Sequence, residues 1–228
     1  MKRKTTYATI VFGFMACAAM GQIARYDTIR YAREYYAERT AQFQKEPVKK
    51  GRIIFLGNSI TEYGDWKQLV DSTVINRGIA ADNTFGILDR LDDVIIRQPE
   101  KLLIEVGIND LSQGIPVEVI VRNIVTITEK IRQSSPRTRI YVHGILPTND
   151  DVKKTYPDAF NKNHLADAVN HELKLVSKSG GYTYVDLGKA LKDKSGKLDS
   201  RYADPDGLHL NPAGYQVWIM LLKSKRYL

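Results

Sequence analysis

The chain has 228 residues, 43% of them hydrophobic, which suits one globular domain with a substantial core and does not require two. Its net charge of +8 includes Lys2, Arg3 and Lys4 at the N-terminus, and the rest of the chain carries about +5 (8 minus 3), a modest excess. The basic residues lie among acids without interleaved aromatic residues, so no nucleic-acid partner is expected. Cys17 is the one cysteine, which excludes a disulfide framework. If an N-terminal signal peptide that contains Cys17 is removed, a zinc-cysteine site and a cysteine nucleophile are excluded as well.

The N-terminal segment has the pattern of a signal peptide. A basic start, MKRKTTYA, precedes the apolar run TIVFGFMACAAM, and Ala19 and Gly21 are small residues at the positions that a signal peptidase inspects. We therefore expect removal of residues 1–21, a mature start at Gln22, and export to the periplasm or beyond the cell. Two alternatives stay open. A membrane anchor would need roughly 20 apolar residues, more than this run offers. Lipid attachment at Cys17 fits the preceding Ala16, although such signals usually carry leucine where this chain has phenylalanine.

After this leader, a tyrosine-rich stretch from Tyr26 to Lys45 lacks Gly and Pro and predicts a helix that Pro47 ends. We expect residues 22–50 to form a helical extension and residues 51–228 the main domain. From Arg52 onward, five short β-rich runs alternate with helical patterns. The runs are IIFLG, TVINRG, KLLIEVG, RIYVHGIL and YTYVDL, and the helical patterns cover Trp66–Val70, Thr84–Ile96, Pro116–Arg132, Asp158–Lys178 and a last stretch after Asn211.

Strands that alternate with helices predict an α/β fold, in which helices cover both faces of a parallel sheet. The runs IIFL and LLIEV are almost entirely apolar, as expected of strands buried on both sides. Two helix starts are well marked, because Asn83 and Asn211 can each cap the helix that follows. Ligands of such sheets bind beyond the carboxyl ends of the strands, so the loops there are the expected place of a functional site.

Ser59 lies in such a loop, directly after the first strand, in RIIFLGNSITEYG. Gly57 permits a sharp exit from the strand, and a helix is expected just after Ser59, with free N–H groups that favour a developing anion. Three known motifs are excluded. Gly-Lys-Ser/Thr and GxGxxG are absent, and Thr61 replaces the second glycine of GxSxG. Taken alone, Ser59 fits the N-cap of that helix equally well.

An activated serine needs a general base, and the base needs a group that orients it. The segment DPDGLHLNPAGY offers both, because Asp206 and His209 are three residues apart in the loop before the last helix. Asp204 is a competing carboxylate, but Pro205 follows it and favours an ordinary turn. The alternatives for this segment are a plain surface loop or a weak metal pair. No third ligand stands at a helpful spacing, so we expect no metal.

A tetrahedral acyl intermediate also needs hydrogen-bond donors for its oxyanion. Gly78 in NRGIAADN can offer a backbone N–H, and Asn109 in VGINDL can offer a side-chain amide. Each alone has an ordinary interpretation, as a turn glycine or a turn asparagine. Four polar loops nevertheless follow the first, second, third and last β-rich runs, at one edge of the predicted sheet. Their combination favours a shared site.

In this order, the four loops resemble the four sequence blocks of the SGNH subgroup of the GDSL hydrolase family. The blocks are GNSIT, NRGIAADNT, GINDL and DGLHLNPAGY. The resemblance implies a flavodoxin-like three-layer α/β/α sandwich around a central, mostly parallel five-stranded sheet, and a serine esterase without metal or cofactor. It assigns Ser59 as nucleophile and one oxyanion donor, Gly78 and Asn109 as the other donors, His209 as base and Asp206 as its orienting acid. One departure is Asn58, where many members carry aspartate.

The resemblance to compact members of this family also implies a substrate, an ester with a short acyl group and in particular O-acetyl on carbohydrate. A small-molecule or glycan ester is then the expected partner, without nucleic acid or stable membrane insertion. Two alternatives stay open. One is a lysophospholipase or thioesterase with a longer acyl specificity, and the other is a non-catalytic glycan-binding module on the same fold.

Other aromatic and histidine residues carry weaker expectations. His143, at the end of a β-rich run, is expected to be a packed residue near the site, and His164 and His171 are expected on the surface of a helix. Tyr63 and Trp66 follow the serine in the chain. They are expected either to line a substrate pocket or to pack in the core.

Overall fold

A computed structural model describes residues 32–152 and 155–228 of the chain. The expected signal peptide and the first part of the expected tyrosine-rich helix lie outside these ranges.

Five parallel strands form one sheet in the order β2-β1-β3-β4-β5. They are β1 (Ile53–Gly57), β2 (Ile75–Gly78), β3 (Lys101–Glu105), β4 (Arg139–His143) and β5 (Thr183–Val185). At the carboxyl end of β1, Gly57 is paired with Gly78 on one side and Glu105 on the other. All residues of β3 are buried, as their mostly apolar run predicts for a strand covered on both faces. The predicted α/β fold and its five-stranded sheet are confirmed.

The helices fill the connections between the strands. The described part of the chain contains α1 (Arg33–Lys45), α2 (Ser59–Glu62), α3 (Trp66–Leu69), α4 (Thr84–Asp89), α5 (Leu91–Ile96), α6 (Ile108–Ser112), α7 (Val117–Ser134), α8 (Asn163–Gly180), α9 (Leu187–Leu191) and α10 (Pro212–Ser224). Helices α4, α5, α7 and α8 form one packed series, and α9 packs against α10. The sheet therefore lies between helical layers, and its strand ends open into the connecting loops.

An aromatic cluster joins α3 and α10 to the sheet. Trp66 stacks on Phe55 with 3.9 Å between ring centroids, and Trp218 meets both rings edge-on. Both indoles are buried, and the Trp66 N–H donates to the Thr61 carbonyl at 2.7 Å. Of the two expectations for Trp66, the structure shows core packing. The cluster anchors the chain that leaves the Ser59 turn.

One predicted helix is interrupted in the structure. The stretch from Thr84 to Ile96 forms α4 and α5, which are separated at Arg90. Burial explains the break, because the Arg90 side chain turns inward to donate to the carboxylate of Asp82 at 2.8 Å. The expected cap is present, since the Asn83 side chain accepts hydrogen bonds from the first turn of α4.

Three further differences concern short segments. The helix expected from Asp158 begins only at Asn163, because a 3-10 turn, Pro157–Ala159, occupies the intervening chain. Helices α6 and α9 were not predicted. Each has five residues, too few to display an apolar period. The last helix follows Asn211 as predicted, and the Asn211 side chain accepts from the Gly214 N–H at 3.1 Å.

Helix α1, the described part of the expected extension, packs against the main domain. The Phe43 ring is buried beneath the guanidinium groups of Arg77 and Arg39, which lie 4.3 and 4.9 Å from its centroid. The Tyr36 hydroxyl donates to the Gly86 carbonyl in α4 at 2.6 Å. Arg97 donates to the Phe43 carbonyl at 3.1 Å. These contacts make α1 part of the packed fold.

Candidate active site

Ser59 begins α2, directly after the tight turn at Asn58 that follows β1. Asn58 caps α2, because its side-chain oxygen accepts from the Ile60 N–H at 2.9 Å. Ser59 is the first helical residue, so its hydroxyl is not needed as a cap and its N–H has no intrahelical acceptor. At Gly57 a Cβ atom would lie 2.1 Å from the Glu105 carbonyl oxygen, so only glycine fits where the strand exits.

His209 connects the Ser59 hydroxyl to a carboxylate. Its Nε2 atom lies 2.9 Å from Ser59 Oγ, and its Nδ1 atom lies 2.5 Å from Asp206 Oδ2. The other carboxylate oxygen, Oδ1, accepts from the N–H groups of Leu208 and His209 at 2.9 and 3.0 Å. The structure thus brings together the serine, histidine and aspartate selected from the sequence, although 150 residues separate Ser59 from His209.

The aspartate that faces the imidazole is Asp206. Asp204, the competing carboxylate, contributes its backbone instead, because its N–H donates to the His209 carbonyl at 2.8 Å and closes the loop. Burial acts to raise the pKa of Asp206, but hydrogen bonds from His209 and Leu208 outweigh it and hold that pKa below its ordinary value. The carboxylate is therefore ionised, and it can hold the Nδ1 proton and stabilise an imidazolium.

Asn109 lies in the first turn of α6, the short helix that follows β3. Its amide nitrogen donates to the Asp82 carbonyl at 2.8 Å, and the residue is almost completely buried. A side-chain amide has two N–H groups, so this bond fixes the orientation of Asn109 and leaves one N–H for another acceptor. The contact joins the start of α6 to the loop after β2.

Gly78, selected as an oxyanion donor, has a different role in the structure. Its N–H donates to the Asn76 side-chain oxygen at 2.8 Å and is already satisfied. A Cβ atom at this position would lie 2.2 Å from the Glu62 nitrogen, so the glycine lets β2 approach the helix that carries the serine. The backbone is closely approached at Gly78, but the group that approaches it is α2.

The loop after Gly78 contains one N–H group without a hydrogen-bond acceptor. Ile79 donates to the Gly57 carbonyl, Ala80 to the Glu62 carboxylate, and Asp82 to the Ile79 carbonyl. Within the part of the chain that the structure describes, the N–H of Ala81 has no such acceptor. Ala81 has a φ of 65°, a left-handed conformation that is uncommon for residues other than glycine. Its neighbour Asp82 carries the carbonyl that Asn109 contacts.

Buried polar residues beside the site were not selected from the sequence. Arg90 donates to Asp82 at 2.8 Å and to the Gly57 carbonyl at 3.1 Å, so it joins the loop after β2 to the end of β1. Asp110 accepts from the backbone and hydroxyl of Thr84, the latter at 2.5 Å. Burial raises the pKa of Asp110 to about 7. The available signal was their position, since Asp82 and Asp110 stand within the same sequence blocks as Ala81 and Asn109.

The other histidines agree with their expectations. His143 is buried, with Nδ1 3.2 Å from the Ile104 carbonyl oxygen and Nε2 accepting from the Trp218 N–H at 3.3 Å. Burial lowers the pKa of His143 to about 4, so the ring is neutral at neutral pH. His164 and His171 are exposed on α8.

Neither a membrane span nor a metal cluster is found in the described residues. No helix in residues 32–152 and 155–228 is long and apolar enough to cross a bilayer. Over the same ranges, no three His, Cys, Asp or Glu side chains come together in a way that could hold a metal ion.

A model of the GDSL-like lipase/acylhydrolase family matches residues 55–217, a range that includes Ser59, the loop after β2, helix α6 with Asn109, and the loop that carries Asp206 and His209. The chain belongs to this family. The family resemblance seen in the four sequence blocks is therefore confirmed.

Two curated relatives and one solved structure illustrate this family membership. The chain is 31% identical over 115 residues to an arylesterase of Vibrio mimicus, with 50% of this chain and 54% of the relative covered. It is 24% identical over 104 residues to the platelet-activating factor acetylhydrolase IB subunit alpha1 of Bos taurus, with 43% and 45% covered. The chain thus spans about half the length of these curated relatives. The solved structure of a presumed platelet activating factor from Streptococcus pneumonia has a TM-score of 0.75 at 26% identity, covering 86% of this chain and 92% of that one.

Proposed function

We propose that this member of the GDSL-like family is a serine hydrolase of carboxylic esters that removes O-acetyl or other short acyl groups from carbohydrate. The observation that carries the proposal is the continuous contact from Ser59 through His209 to Asp206, at 2.9 and 2.5 Å. These distances allow proton transfer between nucleophile and base without rearrangement.

The first half of the reaction forms an acyl-enzyme. Ser59 Oγ bonds to the acyl carbon while its proton passes to His209 Nε2, and the carbonyl electrons move onto the oxygen. When the tetrahedral intermediate collapses, the bond to the alcohol oxygen breaks and His209 returns the proton to that oxygen. Asp206 keeps the imidazole oriented and stabilises its positive charge in both steps.

The second half releases the acid. Water takes the place of the departed alcohol, and His209 Nε2 accepts its proton as the water oxygen bonds to the acyl carbon. Collapse of this second tetrahedral intermediate breaks the bond to Ser59 Oγ, which regains its proton. The enzyme returns to its starting state without a cofactor.

Three N–H groups are proposed to stabilise the oxyanion. They are the N–H of Ser59, the remaining amide N–H of Asn109 and the backbone N–H of Ala81. Ala81 replaces Gly78 in this assignment, because the Gly78 N–H is bonded to Asn76 whereas the Ala81 N–H has no acceptor among the described residues. The hydrogen bond from Asn109 to the Asp82 carbonyl holds the Asn109 amide beside the residue that follows Ala81, which supports the proposal that both donors face the same oxyanion.

A short acyl group fits the distribution of apolar side chains. A long acyl chain would need a continuous apolar channel. Among the described residues, the exposed large aliphatic side chains belong to α5, α8, α10 and the chain before β1, not to the loops that carry the site. They are Val48, Ile96, Leu175 and Met220. Export, which the N-terminal sequence pattern predicts, would bring such an enzyme to extracellular glycans.

Hydrolysis of p-nitrophenyl esters from acetyl to decanoyl tests the proposal. We expect the rate to be highest with acetyl, and Ser59→Ala and His209→Ala to lower kcat by about four orders of magnitude. Asp206→Asn and Asp204→Asn form a matched pair. The first variant should lose about 1,000-fold or more, whereas the second should stay within about threefold of the parent, because the Asp204 side chain does not hold the imidazole.

Two outcomes would replace the proposal. Rates that rise steadily with acyl length would favour a lysophospholipase or thioesterase. No hydrolysis of any ester, together with no labelling of Ser59 by a fluorophosphonate, would favour a glycan-binding module. The oxyanion assignment has its own test, because Asn109→Ala should lower kcat by about 100- to 1,000-fold while fluorophosphonate still identifies an intact nucleophile.

A further inference from the structure

Exposed aromatic side chains are concentrated around Ser59. Among the described residues, the large aromatic side chains that are exposed to solvent are Tyr35, Tyr63 and Tyr156. Tyr63 follows the helix that begins at Ser59, and the Tyr35 hydroxyl donates to Glu62, the residue before Tyr63. Exposed aromatic rings cost free energy in water, so their grouping at one site indicates a surface that a ligand covers.

Two of these rings contact the imidazole of His209. The Tyr63 ring centroid lies 5.1 Å from that of His209, at an interplanar angle of 50°. The Tyr156 centroid lies 5.8 Å away, at 84°. Tyr63 and Tyr156 come from different loops, and their side chains are not packed in the core, because the residues are 55% and 40% exposed.

The position of His209 identifies the part of the substrate that these rings face. In ester hydrolysis, His209 Nε2 gives its proton to the leaving alcohol oxygen, so that oxygen must lie against the imidazole. Side chains that pack against the imidazole are therefore placed to meet the alcohol bonded to that oxygen. Tyr63 and Tyr156 thus lie on the leaving-group side of the site.

We propose that Tyr63 and Tyr156 are specificity-determining residues that form two walls of a subsite for the sugar ring of the leaving alcohol. The inference rests on the proposed esterase function and extends it from the acyl group to the alcohol. A tyrosine offers a flat apolar face together with a hydroxyl that donates and accepts hydrogen bonds. A pyranose ring has the matching surface, with C–H groups on its faces and hydroxyl groups at its rim. A flexible alkyl alcohol lacks that flat surface and gains less from the rings.

The test compares two esters that share an acetyl group and differ in the alcohol. Ethyl acetate carries no ring, and methyl tri-O-acetyl-β-xylopyranoside carries a sugar. With the full chain, we expect Tyr63→Ala and Tyr156→Ala each to lower kcat/KM for the sugar ester by about tenfold and to leave ethyl acetate within about threefold. Tyr63→Phe and Tyr156→Phe keep the flat face and should retain most of the sugar-ester activity. Leu175→Ala, on the exposed surface of α8, is the control and should change neither rate.

Each contrary result has a separate meaning. An equal loss on both esters would show that the tyrosines position His209 and would overturn the subsite. Phenyl acetate, measured alongside these two esters, has a flat alcohol that is not a sugar. A loss on phenyl acetate without a loss on the sugar ester would overturn the sugar assignment in favour of an aryl alcohol. If the parent chain does not hydrolyse ethyl acetate and fluorophosphonate does not label Ser59, the esterase proposal fails, whatever the result for the two tyrosines.

Binding of a sugar without an ester tests the walls independently of the chemistry. Saturation-transfer NMR with methyl β-xylopyranoside should show contact with the parent chain and a loss of that contact in both alanine variants. Equal transfer to the parent and to both variants would overturn the subsite whether or not the chain is an esterase. A thermal unfolding curve for each variant separates loss of binding from loss of fold.

Discussion

The carboxylate of Glu62 accepts a hydrogen bond from the Ala80 N–H at 2.6 Å. The same side chain accepts from the Tyr35 hydroxyl and forms an ion pair with Arg39 Nε at 3.0 Å. Glu62 stands three residues after Ser59, so one carboxylate connects helix α2, which begins at Ser59, with the loop that contains Ala81 and with helix α1. Ser59 and the proposed backbone oxyanion donor are therefore held in a fixed relation by a residue that has no chemical step of its own.

Substitution of Glu62 tests whether this residue positions the reacting groups, which would change kcat, or contributes to substrate binding, which would change KM. Glu62→Ala removes the acceptor for Ala80, so we expect kcat on acetyl esters to fall by about tenfold with little change in KM. Glu62→Gln keeps a side-chain oxygen that can accept the same hydrogen bond and should recover most of the rate. Unchanged kcat in the alanine variant would contradict the positioning role. Equal losses in the two variants would assign the effect to the charge that faces Arg39.

The left-handed conformation of Ala81 predicts that glycine is preferred at this position. Ala81→Gly releases about 1–2 kcal/mol of backbone strain, offset in part by about 0.5–1 kcal/mol of additional entropy in the unfolded chain. The expected net result is a small gain in the free energy of unfolding, measured in urea, with the N–H donor kept and activity retained.

The adjacent alanine is a matched control for this substitution. Ala80 is not among the described residues with positive φ, so Ala80→Gly has no strain to release. It should lower the free energy of unfolding by about 0.5–1 kcal/mol. Equal destabilisation by the two substitutions would show that the conformation of Ala81 is not strained in solution.

The sequence predicted the sheet and the meeting of Ser59, His209 and Asp206 because most of these features have a local signal. Apolar runs such as IIFL can be buried only between two helical layers, and Asn83 and Asn211 mark helix starts by their chemistry. Asp206 and His209 are three residues apart, so their contact also follows from local spacing. The contact between Ser59 and His209 was predicted on two grounds. Both residues were expected at the same edge of the sheet, and the family resemblance assigned them as nucleophile and base.

The choice of Gly78 shows where sequence reasoning failed. A glycine indicates close backbone approach, but it does not say which group approaches, and here that group is α2. Whether an N–H is free depends on the partners that the fold supplies. Asn76 satisfies Gly78, two residues further along the chain, which is a local pattern that asparagine favours. Glu62 satisfies Ala80, 18 residues away, and that contact does not follow from spacing along the chain. Ala81 gave no signal because alanine is not the residue expected at positive φ.

Helix α1 is expected to contribute to stability. Phe43 is 3% exposed and covers the guanidinium of Arg77, which is paired with Asp93 and Glu46, each at 2.7 Å. Phe43→Ala should therefore lower the free energy of unfolding by about 3–5 kcal/mol. Val48→Ala, at an exposed position just beyond α1, is the control and should change it by less than about 0.5 kcal/mol. If Phe43→Ala lowers the free energy of unfolding by less than about 1 kcal/mol, the packing of α1 on the main domain contributes little to stability.

Glu105 predicts a pH-dependent change in stability. It ends β3 beside Gly57, it is buried, and both carboxylate oxygens lack a hydrogen-bond partner within the described residues. Burial raises its pKa to about 8, above the ordinary value of 4.5. As pH rises from about 4.5 to about 8, the unfolded chain loses this proton while the folded chain keeps it. The unfolded state is thereby favoured, and the free energy of unfolding falls across this window.

Glu105→Gln removes this titration while keeping the shape of the side chain. We expect its stability relative to the parent to rise between about pH 4.5 and pH 8, by up to about 1.4 kcal/mol per pH unit, and to level off above that range. Urea unfolding at several pH values measures the difference, and Glu100→Gln, at an exposed side chain paired with Arg139, is the control. A difference between Glu105→Gln and the parent that stays constant with pH would show that Glu105 titrates normally in the folded protein. A difference that falls with pH would instead require a cationic partner for the carboxylate, because only a folded state that favours the ionised form reverses the sign.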